Sequence, residues 1–360
     1  MYTHTSAPPE EGVVAPGYPQ RSRDTAQTVA ALQRTLGFCI ARGYGIHWQN
    51  LLSDGRFSSP EAWAMYRENL PLLLEGKAQS PQVAFIIDEQ AFHCTAIGSR
   101  SVYGPFVYEL RAAFSRLDVT TGYYLLSDID RIPKSARLLV FINPHDLREH
   151  AATIAARFAR DGRILVFAHA PNASAPDSSA GSSAVLQALD GGTRFVLREG
   201  EALHTGKLVA NPGLPASLVG LPFGLGPDRV HIHWAPEARH PPLSPAMVVE
   251  EPRAIPLGVF TDGKSVAISA TPHDGWTEVL LGGHVLEPEF WRALARNAGA
   301  HLYTPDETLS WDEPLFLLAS EGFLMLQSPT GGLRRVVLPG GQETSVDLQP
   351  GAPAFLRPTP

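Results

Sequence analysis

The chain has little with which to cross-link itself, to hold anions or to enter a membrane. Only two cysteines, Cys39 and Cys94, occur in 360 residues, which excludes a disulfide framework. Charge is sparse, with 18% of residues ionic and a net charge of -7. Lys and Arg are scattered, so there is no basic footprint for nucleic acid or anionic lipid. No run of about 18 apolar residues is present to span a bilayer. Residues 1–19 are polar and proline-rich, without the apolar core of a secretion signal. A glycine-rich phosphate loop is missing as well. Asp88-Glu89 stands where it would begin, and two acids would repel a pyrophosphate. Together these absences predict a cytoplasmic protein with no cofactor, no nucleic-acid partner and no membrane partner.

What is present is apolar patterning, 44% of the chain. Val29, Leu32, Leu36, Cys39 and Ile40 form one helical stripe, with Cys39 an inert core thiol and Gly43 a left-handed C-terminal cap. Gly45-Ile46-His47-Trp48 then reads as a strand with nothing of its own to pair with. Ser59-Pro60-Glu61 opens a second helix with an N-cap hydroxyl, a pre-set φ and an early negative charge. Trp63, Tyr66, Leu70, Leu73 and Leu74 follow on one side, with Pro71 inside. Helix, strand, loop and helix in this order match the closing βα unit of a (β/α)8 barrel, assigned to residues 1–79.

From residue 80 the rhythm changes. Val83–Ile87, a segment near 119–126, Leu138–Ile142 and 164–167 are short apolar runs of the kind a parallel sheet covers on both faces. Between them fall a helix carrying Tyr103, Phe106, Val107, Leu110, Phe114 and Leu117, and another over about 146–160. This alternation predicts a doubly wound, flavodoxin-like α/β sheet in residues 80–308. Residues 171–183 read as a loop, and 200–252 are too irregular to assign. Thr261-Asp262-Gly263-Lys264 marks a hairpin between 257–260 and 265–269, and Glu287-Pro288-Glu289 opens a helix to Asn297. Residues 309–360 predict a small antiparallel β domain, with strands near 315–318, 323–327, 335–338 and 344–348.

Three stretches carry a resemblance. Ala41 to Trp48 with Asp54-Gly55-Arg56-Phe57, Ala136 to Pro144 through Asp161-Gly162-Arg163, and Gly275-Trp276-Thr277 through Ala300 to Tyr303 resemble β-galactosidase-like glycoside hydrolases. In that family a barrel end is followed by a class I glutamine-amidotransferase-like trimerisation domain and a small β domain. The resemblance implies glycosidic-bond hydrolysis by two carboxylates on the fourth and seventh barrel strands. Both strands would lie before Met1, and Tyr2-Thr3-His4-Thr5 at most resembles the chain after the seventh. No catalytic residue is therefore assigned. The expectation is a C-terminal, non-catalytic part that assembles subunits, as a homo-oligomer and in the family manner a trimer, and walls a carbohydrate site where a barrel is supplied. The alternative is a stand-alone amidotransferase-like module that binds a ligand or protein without hydrolysis. Without its barrel, the 24–76 segment is expected to dock on a separate barrel or to remain poorly ordered.

His47, Trp48 and Asp54 are the candidate carbohydrate-binding residues, at the mouth of the last barrel strand. An indole stacks on a sugar face and a carboxylate accepts hydroxyl hydrogen bonds; ordinary packing is the competing reading of the tryptophan. The turn matching the amidotransferase nucleophile, Ala168-His169-Ala170-Pro171, contains no cysteine. Cys94 beside His93 follows the wrong strand for an activated thiol. Asp88, Ser127 and His169 sit where a small-ligand crevice would open. His231-Ile232-His233 with Glu237 and His240 could chemically suit zinc, yet they read as solvated or interface histidines and no metal is expected.

Overall fold

The structure, a computed structural model, describes residues 24–46, 59–75, 80–94, 106–107, 109–169, 171, 193–224, 245–309, 315–320 and 322–357. Its centre is a sheet of eleven described strands. Five run parallel in the order β2 (Thr121–Leu125), β1 (Val83–Ile87), β3 (Leu138–Ile142), β4 (Arg163–Ala168) and β11 (Trp276–Leu281). Beyond β11 the sheet turns antiparallel through β10 (Val266–His273), β9 (Ile255–Phe260), β6 (Gly206–Leu208) and β7 (Pro222–Phe223). The pair β5 (Phe195–Arg198) and β8 (Ala246–Val249) attaches to β10 through β8. The stretch 200–252, unassignable from sequence, thus supplies short strands held by non-local pairing.

The parallel strands are apolar throughout because both faces are covered. Val83 and Phe85 enter one core cluster while Ala84 and Ile86 enter the other, following the two-residue period of a strand. Helix α3 (Leu110–Phe114) and helix α5 (Pro288–Asn297) cover the first face; helix α4 (Ala151–Phe158) covers the second. The expected helix over 146–160 is shorter, preceded by a 3-10 turn at 148–150. Its first residues are drawn off because Asp88 accepts the backbone N–H groups of His145 and Asp146. The 261–264 hairpin forms as expected, with Asp262 accepting from the amides of Lys264 and Ser265.

Glu289 does not act as an exposed charge at the start of α5. It is buried and pairs with Arg292 at 3.2 Å. Arg292 also grips Asp118 at 3.0 Å and the carbonyls of Thr304 and Glu307, so one buried cation ties α5, the chain before β2 and the 304–309 segment.

Helix α1 (Thr25–Arg42) begins at Asp24, whose carboxylate accepts the Gln27 amide, and ends at Gly43 with φ 65°. Helix α2 (Pro60–Glu75) is capped by the Ser59 hydroxyl, which accepts the Ala62 amide at 3.1 Å. The buried stripe of α2 differs from expectation: Ala62, Met65 and Asn69 face inward, while Trp63 and Leu74 are 50% and 76% exposed. Gly45 and Ile46 are not in a strand, and His47 and Trp48 lie outside the described residues.

The helix pair does not stand alone among the described residues. Leu32, Leu36, Ile40, Ala62 and Met65 share a core with Phe323 and Met325 of the C-terminal strands. Those strands form two small sheets rather than one: β12 (Phe316–Ser320), β13 (Phe323–Gln327) and β16 (Ala354–Leu356), and the hairpin β14 (Gly332–Val337) with β15 (Glu343–Leu348). Strand β16, three residues after a proline-bearing turn, had no sequence signal.

Candidate functional site

The chemistry-bearing residues that come together lie beyond the C-terminal ends of β1, β3 and β4. This is where open α/β sheets place ligands. Asp88, immediately after β1, is 3% exposed. One carboxylate oxygen accepts the Gln90 and Ala91 amides at 3.0 and 3.2 Å; the other accepts those of His145 and Asp146 at 3.1 and 3.4 Å. Burial raises its pKa, opposed by these four backbone donors. Asp88 is thus a staple between the β1 and β3 loops. Glu89 accepts the amides of Leu126 and Ser127, so Ser127 is held by its backbone and the β2 loop is fixed to the β1 loop.

The register pairs Ile142 with Ala168, so the next residues, Asn143 and His169, stand side by side at two adjacent strand ends. Both have left-handed backbones, φ 49° and 59°. For residues other than glycine this conformation costs about 1–3 kcal/mol and clusters at functional sites. His169 turns its Nε2 toward the Pro245 carbonyl at 3.1 Å. A carbonyl can only accept, so Nε2 carries the proton and Nδ1 is a bare acceptor. Among the described residues that buried Nδ1 has no hydrogen-bond partner, and neither has either amide atom of Asn143, which is 1% exposed. Unsatisfied buried groups of this kind cost about 1–3 kcal/mol each.

His145 completes the cluster, its ring centroid 6.2 Å from that of His169. Burial, then the neighbouring His169, pushes His145 down to about 4, and burial also lowers His169. Both imidazoles are therefore neutral at pH 7. Phe106 packs against His169 and His284 at 6.1 and 5.8 Å. The arrangement offers neutral donors and acceptors in apolar surroundings. It suits hydrogen bonding to a small polar molecule, and the elbow after β4 carries the His169 imidazole rather than a cysteine.

Sequence reasoning named Asp88, Ser127 and His169 but passed over Asn143 and His145. The available signal was a polar residue directly after a buried strand and before Pro144. The predicted carbohydrate residues His47, Trp48 and Asp54 lie outside the described residues, as do His231, His233, Glu237, His240 and the side chain of Cys94. Among the described residues no group of three His, Cys, Asp or Glu could hold a metal ion, and no helix is long and apolar enough to cross a membrane.

These elements define a mixed α/β protein with a large central sheet and small antiparallel sheets, the fold of part of the β-galactosidase-like glycoside hydrolases. Among solved structures, a β-galactosidase from Rahnella sp. R3 matches 84% of this chain at 13% identity and a TM-score of 0.55. A β-galactosidase from Bacillus circulans sp. alkalophilus matches 82% at 11% identity and 0.52. A GH42 β-galactosidase from G. stearothermophilus, in a catalytic-mutant form, matches 85% at 13% identity and 0.50. The chain covers 44%, 45% and 45% of those three chains, less than half of each. At such identities the likeness is one of fold. No family model matches the sequence, and no curated protein matches it.

Proposed function

We propose that this chain serves as the non-catalytic, C-terminal part of a β-galactosidase-like glycoside hydrolase, assembling subunits and walling a carbohydrate site in the cytoplasm. The observation that carries this reading is the shared fold, which takes in most of this chain and less than half of the related ones. The strand order of the parallel half corresponds to the flavodoxin-like order, consistent with an amidotransferase-like trimerisation domain over 80–308. In the same reading, residues 1–79 are a barrel end, with His47, Trp48 and Asp54 facing sugar, and 309–360 are a β domain. Of the five buried acids among the described residues, four are engaged in structural contacts, Asp88 by amides, Asp118 and Glu289 by Arg292, and Glu278 by Thr193 and His273; the fifth is Glu109.

The test is light scattering during size exclusion, together with a chromogenic β-galactoside assay on the purified chain. The expected result is a mass three times the 38.9 kDa of one chain and no turnover. Turnover that persists through repurification would place the catalytic carboxylates in this chain and overturn the reading. The unpartnered Asn143 and His169 atoms favour a second reading, a binding module for a small uncharged hydrogen-bonding ligand.

A further inference from the structure

A second cleft, enclosing about 800 Å3 with part of it open to solvent, has a different lining from the strand-end site just described. Its lining includes Thr121, Gly122, Tyr123 and Tyr124 of β2 and Leu317, Leu318 and Ala319 of β12. Side chains of a strand alternate between two faces, so consecutive residues reach one cavity only along a strand's edge or at its end. Both strands have such an edge. Among the described residues, β2 pairs only with β1 and β12 only with β13.

Neither edge strand, Thr121–Leu125 or Phe316–Ser320, carries a charge or a proline of its own to discourage pairing, and five rungs join β2 to β1 without a bulge. Leu125 is 45% exposed. The C-terminal end of α1 forms a further wall through Ala41, Arg42 and Tyr44. Among the described lining residues Arg42 is the only one charged at neutral pH. Its guanidinium lies 4.5 Å from the Tyr123 ring centroid and 5.3 Å from that of Phe38. Arg111 adds a second positive charge acting on Tyr123.

We propose that this cleft binds an extended acidic peptide segment of a partner protein, which adds as a strand to the β2 edge and sets a carboxylate against Arg42. Main-chain hydrogen bonds to a free edge supply affinity without a deep pocket. The charge selects for acid, in contrast to the net negative chain around it. A sugar suits the cleft less well, because the Arg42 guanidinium already occupies the face of Tyr123 on which a pyranose would stack. The proposal is independent of the glycoside-hydrolase reading.

The test uses the full chain and a capped hexapeptide of alternating valine and glutamate, followed by calorimetry and hydrogen–deuterium exchange. The expected result is slowed exchange at 121–125 and a Kd at least tenfold weaker for Arg42→Gln. The same peptide with lysine for glutamate, or with N-methylated valines, should lose at least tenfold as well. The N-methyl control needs no protein variant and removes donors to the edge alone. Equal binding of the lysine peptide, or no protection at 121–125, sinks the proposal. Protection that rises with protein concentration in the absence of peptide would instead assign the edge to a second copy of this chain.

Discussion

The parallel half of the large sheet and the α1–α2 pair bury their apolar residues in different ways. Strands β1, β3 and β4 are inaccessible on both faces, covered by α3 and α4, which lie close in sequence, and by α5, which does not. The helix pair buries one stripe, in part against Phe323 and Met325, which lie more than 250 residues later in the chain. It leaves Phe38, Tyr44, Trp63 and Leu74 exposed. Most of the first region forms by local alternation, closed by α5 and β11 from later in the chain, whereas the second depends on a long loop closure whose entropy must be offset by its contacts. The difference suggests that the pair is the less stable unit, a subglobal opening in the sense of hydrogen exchange.

The strongest way to break the contrast is at Arg292, on the sheet side. Arg292→Met leaves Asp118 and Glu289 as uncompensated buried charges and should cost about 3–5 kcal/mol, read by urea denaturation. A smaller loss would mean that water reaches the triad. Leu36 is fully buried under the small sheet, and Leu36→Ala should cost about 2–5 kcal/mol. Amide exchange should then quicken in α1 and α2 while β1, β3 and β4 keep their protection. If all elements quicken together, the two regions are one cooperative unit.

A third test concerns pH. His145 titrates near 4 when folded, below the ordinary 6.5. The unfolded chain therefore binds the proton more readily, and His145's contribution is complete above pH 6.5. It is lost as pH falls toward 4, by up to about 3 kcal/mol. Comparing wild type with His145→Gln at pH 7 and pH 4.5 isolates it, since the remaining carboxylates cancel; parallel curves would refute the shift. The smallest effect is expected at Asn143. Asn143→Gly relieves a left-handed backbone and removes an orphaned amide, so stability should rise by about 1 kcal/mol in thermal melts. A loss instead would show that the amide has a partner in solution.

Much of the fold was legible. The runs at Val83–Ile87 and Leu138–Ile142 coincide with β1 and β3, the Asp262 hairpin forms, and the Ser59 and Gly43 caps act as written. These features depend on neighbours within a few residues. The α2 face was misread because Trp63 and Leu74 keep helical spacing while their side chains stay exposed, Trp63 meeting only the Tyr66 ring on its own helix among the described residues. At the candidate site, His169 and Asp88 were visible as polar residues ending apolar strands. Asn143 gains its meaning only from standing beside His169, which depends on the register of β3 with β4.

The sequence by itself determined where strands, caps and turns lie, because periodicity and backbone chemistry act over single turns and pleats. The tertiary structure alone decided that α1 packs on β12 and β13, that Arg292 joins three distant segments, and that two strand edges open on one cleft. Each of these is a contact between residues far apart in the chain, chosen by burial and pairing in the folded state rather than by any local preference.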